Sequence, residues 1–168
     1  MIIRPATEAD WDSIWPFFDV IVAAGDSYAF PHGLTYETGR AWWMESPPAQ
    51  TVVAEADGVI VGSAKMGPNR PGRGSHIATA SFMVDPATRS RGVGRALGEY
   101  MVAWARAAGY HGIQFNAVVE TNTAAVRLWQ ALGFEIIGTV PDAYDHATLG
   151  LVGLHVMYLP LTDSAPAQ

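Results

Sequence analysis

The stretch Val84-Asp85-Pro86-Ala87-Thr88-Arg89-Ser90-Arg91-Gly92-Val93-Gly94-Arg95-Ala96-Leu97 decides the fold. It reads as the end of a strand, a tight polar turn and the first turn of a long helix, with Arg89, Gly92 and Gly94 in the pattern R-x-x-G-x-G. Glycines let the backbone approach a ligand and take torsions that a Cβ forbids. The helix behind the turn offers unpaired N–H groups and the positive end of its dipole. Together these features make an anion site suited to a diphosphate.

After the turn, Leu97, Met101, Trp104, Ala105 and Ala108 share one helical face, and Arg95, Glu99 and Arg106 mark the other. Gly109 is the expected C-cap. Ile113 to Val119 reads as a strand, and Asn122 caps a helix that carries Ala125, Val126, Leu128, Trp129 and Leu132 and stops at Gly133. Phe134 to Val140 is expected as a strand, Pro141 to Gly150 as a loop and Leu151 to Leu159 as the last strand.

Before the turn, Ile2-Ile3-Arg4 is a short strand closed by Pro5. Thr7-Glu8-Ala9-Asp10 resembles a capping box, followed at helical spacing by Trp11, Ile14, Trp15, Phe18, Ile21 and Val22. Pro16 is expected to kink or split this helix, and Gly25 to end it. The loop Asp26 to Gly33, with Tyr28 and Phe30, is a candidate substrate wall or an ordinary surface loop tucked under its own aromatics. A second helix is expected from Thr35 to Glu45. Thr51–Glu55 and Val59–Ala64 flank Asp57-Gly58, a strong hairpin signal. Gly67 to Ser75 is a loop, and His76 to Val84 the strand that enters the glycine turn. The succession predicts an α+β fold, a mixed sandwich with a central sheet and helices on both faces. One domain is expected over residues 1–160, with a flexible tail over 161–168.

Composition narrows the function. A chain of 168 residues with 49% hydrophobic and 15% charged residues fits one globular domain. The absence of cysteine removes disulfides, a thiolate nucleophile and thiolate metal ligation, and no metal site is expected. With no signal-like core and no long apolar run, the reading is a soluble cytoplasmic protein without membrane contact. A net charge of −6 argues against a nucleic-acid surface and weakly favours cationic small molecules. A P-loop would need G-x-x-x-x-G-K-[ST], which is absent. A dinucleotide fingerprint needs a third glycine where Leu97 stands, and an acid about twenty residues on that is not at hand.

Val84-Asp85-Pro86 with Arg89-x-x-Gly92-x-Gly94 resembles the acetyl-CoA signature of the GNAT superfamily of N-acetyltransferases. Asn122-x-x-Ala125-x-x-Leu128-Trp129-x-x-x-Gly133-Phe134 resembles that superfamily's second signature. The likeness is close over about residues 50 to 160. The start Ile2-Ile3-Arg4-Pro5-Ala6-Thr7 and the overall spacing resemble the phosphinothricin-acetyltransferase branch. This resemblance implies a mostly antiparallel, splayed central sheet and an acetyl-CoA cosubstrate. It implies that the backbone of Ser90, Arg91, Gly92, Val93, Gly94 and Arg95, with Arg89, holds the diphosphate. It further implies that the backbone of Phe82, Met83 and Val84 pairs with the pantetheine arm, one amide polarising the thioester carbonyl. Asn122, Ala125 and Trp129 would contact the far side of the arm; read from the residues alone, they equally fit an N-cap, close helix packing and core.

The chemistry on the acceptor is less well marked. Without cysteine, direct attack of an amine on the thioester is the natural route. Many relatives place an acidic tyrosine seven residues after the motif asparagine; here Trp129 stands there, and its indole cannot serve as an acid. Two positions where relatives carry a carboxylate base hold the strand Ile77-Ala78-Thr79-Ala80-Ser81 and Ala117. Candidates for proton transfer are His76, Glu120 and Tyr144, with Asp145, His146 and Tyr158 behind them and water as an equal alternative. Tyr28, Phe30, Asn69, Asn116 and His146 are candidate substrate contacts. The expected partner is a small-molecule amine, with a homodimer held open. The alternatives are a non-catalytic acyl-CoA-binding or sensing module and an acetyltransferase for protein amino termini or lysines.

Overall fold

In the computed structural model the described residues are 1–88 and 92–161; Arg89, Ser90, Arg91 and the tail from Thr162 onward lie outside them. The strands are β1 (Ile2–Pro5), β2 (Gln50–Ala56), β3 (Val59–Pro68), β4 (Ile77–Val84), β5 (Gly112–Val119), β6 (Glu135–His146) and β7 (Gly150–Pro160). The helices are α1 (Trp11–Ala24), α2 (Tyr36–Trp43), α3 (Val93–Ala107) and α4 (Thr123–Ala131). One seven-stranded sheet runs in the order β1-β2-β3-β4-β5-β7-β6. Every neighbouring pair is antiparallel except β4 and β5. No helix among the described residues is long and apolar enough to cross a membrane.

Strand alternation sends neighbouring residues to opposite faces and builds two cores. Val52 and Ala54 face α3 and α4, where Leu97, Met101, Ala105 and Trp129 are buried. Val53 and Met83 face α1 and α2, where Trp11, Ile14, Phe18 and Trp43 are buried. The β2–β3 hairpin turns on Asp57 and Gly58, both at positive φ (53° and 76°), as a turn matched to strand twist requires.

Two expectations are corrected. Helix α1 is one helix through Pro16, so the split, one of the two outcomes expected there, does not occur. Buried residues on both sides of the proline, Trp11 and Ile14 before it and Phe17, Phe18, Ile21 and Val22 after it, dock the two halves onto one core. Tertiary packing outweighs the one lost hydrogen bond. Strand β6 continues to His146 where a loop was expected from Pro141. The chain accommodates Pro141 in a bulge: the register with β7 shifts between Val140 and Tyr144, and Asp142 takes φ 53°. A bulge on an edge strand is where a sheet tolerates proline.

The start of α1 is fixed by charge. Asp10 accepts two hydrogen bonds from the Arg4 guanidinium (2.8 and 2.9 Å) and two from Thr7, through its N–H (2.6 Å) and hydroxyl (2.9 Å). These bonds, that of Arg4 foremost, hold the Asp10 carboxyl well below the usual carboxylate range. A carboxyl whose pKa is depressed by folding stabilises the fold above its unfolded pKa and loses that contribution as pH falls through it. Asp10→Asn should therefore lower the urea midpoint at pH 7, and the gap from wild type should close from about pH 5 downward. A gap that stays constant from pH 7 to pH 3 would contradict this.

Candidate active site

Strands β4 and β5 pair only at Ile77↔Gly112 and Ala78↔Ile113. Beyond those residues they part, and a cleft of about 1070 Å³ opens between Thr79–Val84 on one wall and Phe115–Val119 on the other. Two features hold them apart. Strand β5 bulges between Phe115 and Val118 in its register with β7. The Phe82 ring stands in the gap against Trp129 (centroids 4.6 Å apart) and Phe115 (5.8 Å).

The hydrogen-bonding edges of a strand alternate from side to side. Asp85 donates its N–H to Val61 of the strand before, so Ser81 and Met83 also face β3 while Ala80, Phe82 and Val84 face the gap. This corrects the expectation for Met83, whose backbone points away from any ligand in the cleft. Phe82 does not leave its gap-facing groups open. The Tyr28 hydroxyl donates to the Phe82 carbonyl (2.5 Å) and accepts from the Phe82 N–H (2.9 Å). Burial raises the pKa of this phenol, so it stays protonated.

At one end of the cleft lies the glycine turn. Gly92 takes φ 74°, a left-handed torsion suited to glycine, immediately before α3. Gly92, Val93, Gly94 and Arg95 line the cleft there, and Asn122, Ala125 and Trp129 of the α4 region line it opposite. A Cβ on Gly94 would stand 3.4 Å from Leu128 and 3.7 Å from Val84, so the first turn of α3 sits close against both β4 and α4. The first N–H groups of a helix have no intrahelical acceptor, and here they border an open space that an anion fits. Two further glycines permit this geometry and went unread in the sequence. A Cβ on Gly62 would come within 2.9 Å of Val93, and one on Gly98 within 2.6 Å of Leu132. Only spacing hints at Gly98, one turn after Gly94.

At the other end the α1–α2 loop and the β6–β7 turn close the cleft. They are tied together by Ala147 N–H to Gly25 carbonyl (2.9 Å) and by the Tyr144 hydroxyl to the Tyr28 carbonyl (3.3 Å). Asp26, Tyr28, Phe30, Trp42 and His146 line this end. Trp42 was not anticipated; its signal was a tryptophan on a helix next to the buried Trp43. Asp26 lies on the loop that the sequence leaves open as a substrate wall or an ordinary surface loop.

The candidates for proton transfer are scattered. His76 lies outside the cleft, in a separate hollow beside Trp104 and Tyr110, its ring 5.6 Å from that of His111. Glu120 turns to β7, where it accepts the Gly153 N–H (2.6 Å) and ties two strands. Tyr144 is buried behind the loop, and burial raises its pKa. Tyr158 lies over Gly112, at the closed end of the gap. Asp145 is exposed on β6, away from the cleft lining. His146 does line the cleft, with Nδ1 accepting the Thr148 N–H (3.2 Å). Asn116 lines it too, but its amide is engaged: it donates to Asn69 (2.6 Å) and accepts from Gln114 (2.8 Å). Asn69 stands behind it as a brace. Arg89, Ser90 and Arg91 fall outside the described residues.

A cleft that receives an anion-bearing ligand along a strand edge at one end and a second reactant at the other is the layout of a group-transfer enzyme. Residues 11–134 match the acetyltransferase (GNAT) family. The structure of a GCN5-related N-acetyltransferase from Kribbella flavida is similar with a TM-score of 0.91 and 57% identity, covering 95% of this chain and 96% of that one. The yncA structure from Salmonella typhimurium, solved with its cofactor acetyl-CoA, is 26% identical with a TM-score of 0.85, covering 100% and 98%. The L-methionine sulfoximine/L-methionine sulfone acetyltransferase of Salmonella typhimurium is 30% identical over 147 residues, 84% of each chain. The chain spans only 40% and 12% of the lengths of two fungal relatives that it also matches. The chain belongs to the acetyltransferase (GNAT) family, whose cosubstrate is acetyl-CoA.

Gly92→Glu, which puts a carboxylate beside the α3 start, should abolish the rise in melting temperature that acetyl-CoA produces. Gly109→Ala is the control. Gly109 has a similar torsion (φ 79°) in open space away from the cleft. It should lower stability by about 1 kcal/mol, the cost of a side chain in that torsion, and keep the full shift. Persistence of the shift in Gly92→Glu would remove the glycine turn from the cosubstrate site.

Proposed function

We propose that the protein transfers the acetyl group of acetyl-CoA to a primary amine of a small molecule, by direct attack within a ternary complex. The observation that carries this reading is the single continuous cleft, with the glycine turn at one end and a walled aromatic chamber at the other. A protein amino terminus or lysine would need a wide groove, and the tied loop and turn narrow this end of the cleft. The Salmonella relative named for methionine sulfoximine, itself a small amino-acid derivative, supports the same acceptor size.

In this reading the α3 N–H groups from Gly92 to Arg95, with Arg89, Ser90 and Arg91, hold the diphosphate. Val84 presents its backbone to the arm, Phe82 does so only where the arm displaces the Tyr28 hydroxyl, and Asn122, Ala125 and Trp129 contact the arm's other side. A gap-facing amide of β4 polarises the thioester carbonyl and stabilises the oxyanion. The amine nitrogen forms a bond to the carbonyl carbon, the C–S bond breaks, and the sulfur leaves as thiolate. A thiol of pKa about 8.5 leaves without an acid, so Trp129 in the tyrosine position does not prevent reaction. The amine's proton passes to water or to His146, the proton-transfer candidate that lines the cleft, since His76, Glu120 and Tyr144 stand outside it. The cytoplasm, where this acyl donor is available, is the proposed location.

The chain has no cysteine to carry an acyl group, so initial rates at varied acetyl-CoA and amine should give intersecting double-reciprocal lines. Parallel lines with a trapped acetyl-enzyme would refute direct attack. Cosubstrate binding without thiol release for any amine would instead favour a sensing module.

A further inference from the structure

Resting on the reading of this cleft as an N-acetyltransferase site, we infer that the preferred acceptor is an amine with an aromatic or comparably bulky apolar body and no carboxylate, an aralkylamine rather than an amino acid. The acceptor chamber is walled by a run of rings. Tyr28 and Phe30 have centroids 5.1 Å apart, and Phe30 and Trp42 5.2 Å. The inner two are backed from behind: Phe30 stacks on Phe18 (6.0 Å) and Tyr28 meets Trp43 edge-on (6.2 Å). Those two rings are held in place, while the outermost, Trp42, is 44% exposed at the mouth. Such a wall takes an apolar body, and its π faces also attract an ammonium.

The charges in the chamber discriminate further. Asp26 brings a carboxylate to this end, with one oxygen accepting the Ser27 hydroxyl (2.9 Å). The other titratable group beside the rings is His146. Its Nδ1 accepts the Thr148 N–H, so the neutral ring carries its proton on Nε2 and offers a single uncharged donor. Among the described residues that line the cleft, the remaining charge is Arg95, on the first turn of α3 beside the glycine turn and paired with Glu99 (3.1 Å). An incoming ammonium thus meets a carboxylate and π faces. An α-carboxylate in the same place would meet Asp26 and, among the described residues that line this end, find no guanidinium or ammonium to hold it, whereas carboxylate recognition ordinarily uses a bidentate cation. Rejection by an unpaired like charge is a direct route to specificity.

The experiment uses the full chain with acetyl-CoA and follows thiol release for matched pairs: 2-phenylethylamine against L-phenylalanine, and 3-(methylthio)propylamine against L-methionine. The amine of each pair should have a kcat/KM about 100-fold above its amino acid, within what like-charge rejection supplies. Asp26 is exposed on a loop, so Asp26→Asn should fold normally. It should narrow the ratio about tenfold, with the amine slowed and the amino acid accelerated. Equal or faster acetylation of the amino acids, or a ratio unchanged in Asp26→Asn, overturns the inference and leaves the transferase reading standing. Thiol release by no member of either pair, or by any other amine, with the acetyl-CoA melting shift intact, overturns the transferase reading and this inference with it.

Discussion

The structure depends on two strands that begin together and then separate. Strands β4 and β5 share register for two residue pairs, after which the gap-facing backbone of β4 has no strand partner. An unpaired strand edge inside a protein must be satisfied by something else. Along this edge the answers differ by position: Phe82 is met by a phenol, while Val84 leads toward the helix start where amides await an anion. The separation also determines which elements can reach the cleft. Helices α3 and α4 close in from one face because glycines at 62 and 98 allow it. The α1–α2 loop and the β6–β7 turn close in from the other, held by contacts between Gly25, Tyr28, Tyr144 and Ala147.

Local signals were legible in the sequence wherever one residue's backbone requirement decides the structure. Gly92 before α3, Asn122 capping α4 by accepting the Ala125 N–H (3.3 Å), and the Asp57-Gly58 turn are of that kind. What failed depends on partners distant in the chain. Pro16 looks like a break until both halves of α1 are seen to share one core. Pro141 looks like a loop until β7 supplies a register in which it can bulge.

The candidate site divides along the same line. Its cosubstrate end is written in contiguous residues, so two short motifs identify it. Its acceptor end is assembled from a loop near residue 28, a helix near residue 42 and a turn near residue 146, which share no pattern in the sequence. Residue type was a poor guide to proton transfer there. His76, Glu120 and Tyr144 have suitable chemistry, but strand parity and the closed end of the gap turn them to other tasks: one to a neighbouring histidine, one to a strand tie, one to bracing a loop. Asn116 shows the converse, since it reaches the cleft with one donor and one acceptor already engaged by Asn69 and Gln114.

The bond between Tyr28 and Phe82 has a consequence for the life of the protein outside catalysis. A strand with exposed N–H and C=O groups is a template on which another chain can add a strand, and natural sheets guard such edges. This fold does not cover its inner edge with a neighbouring strand, since β4 and β5 part after two residue pairs and leave the cleft between them. A single phenol, using its proton and a lone pair on one residue, caps the middle of that edge without filling the gap. The same side chain that lines the cleft thereby leaves this edge one residue fewer on which a foreign strand could pair.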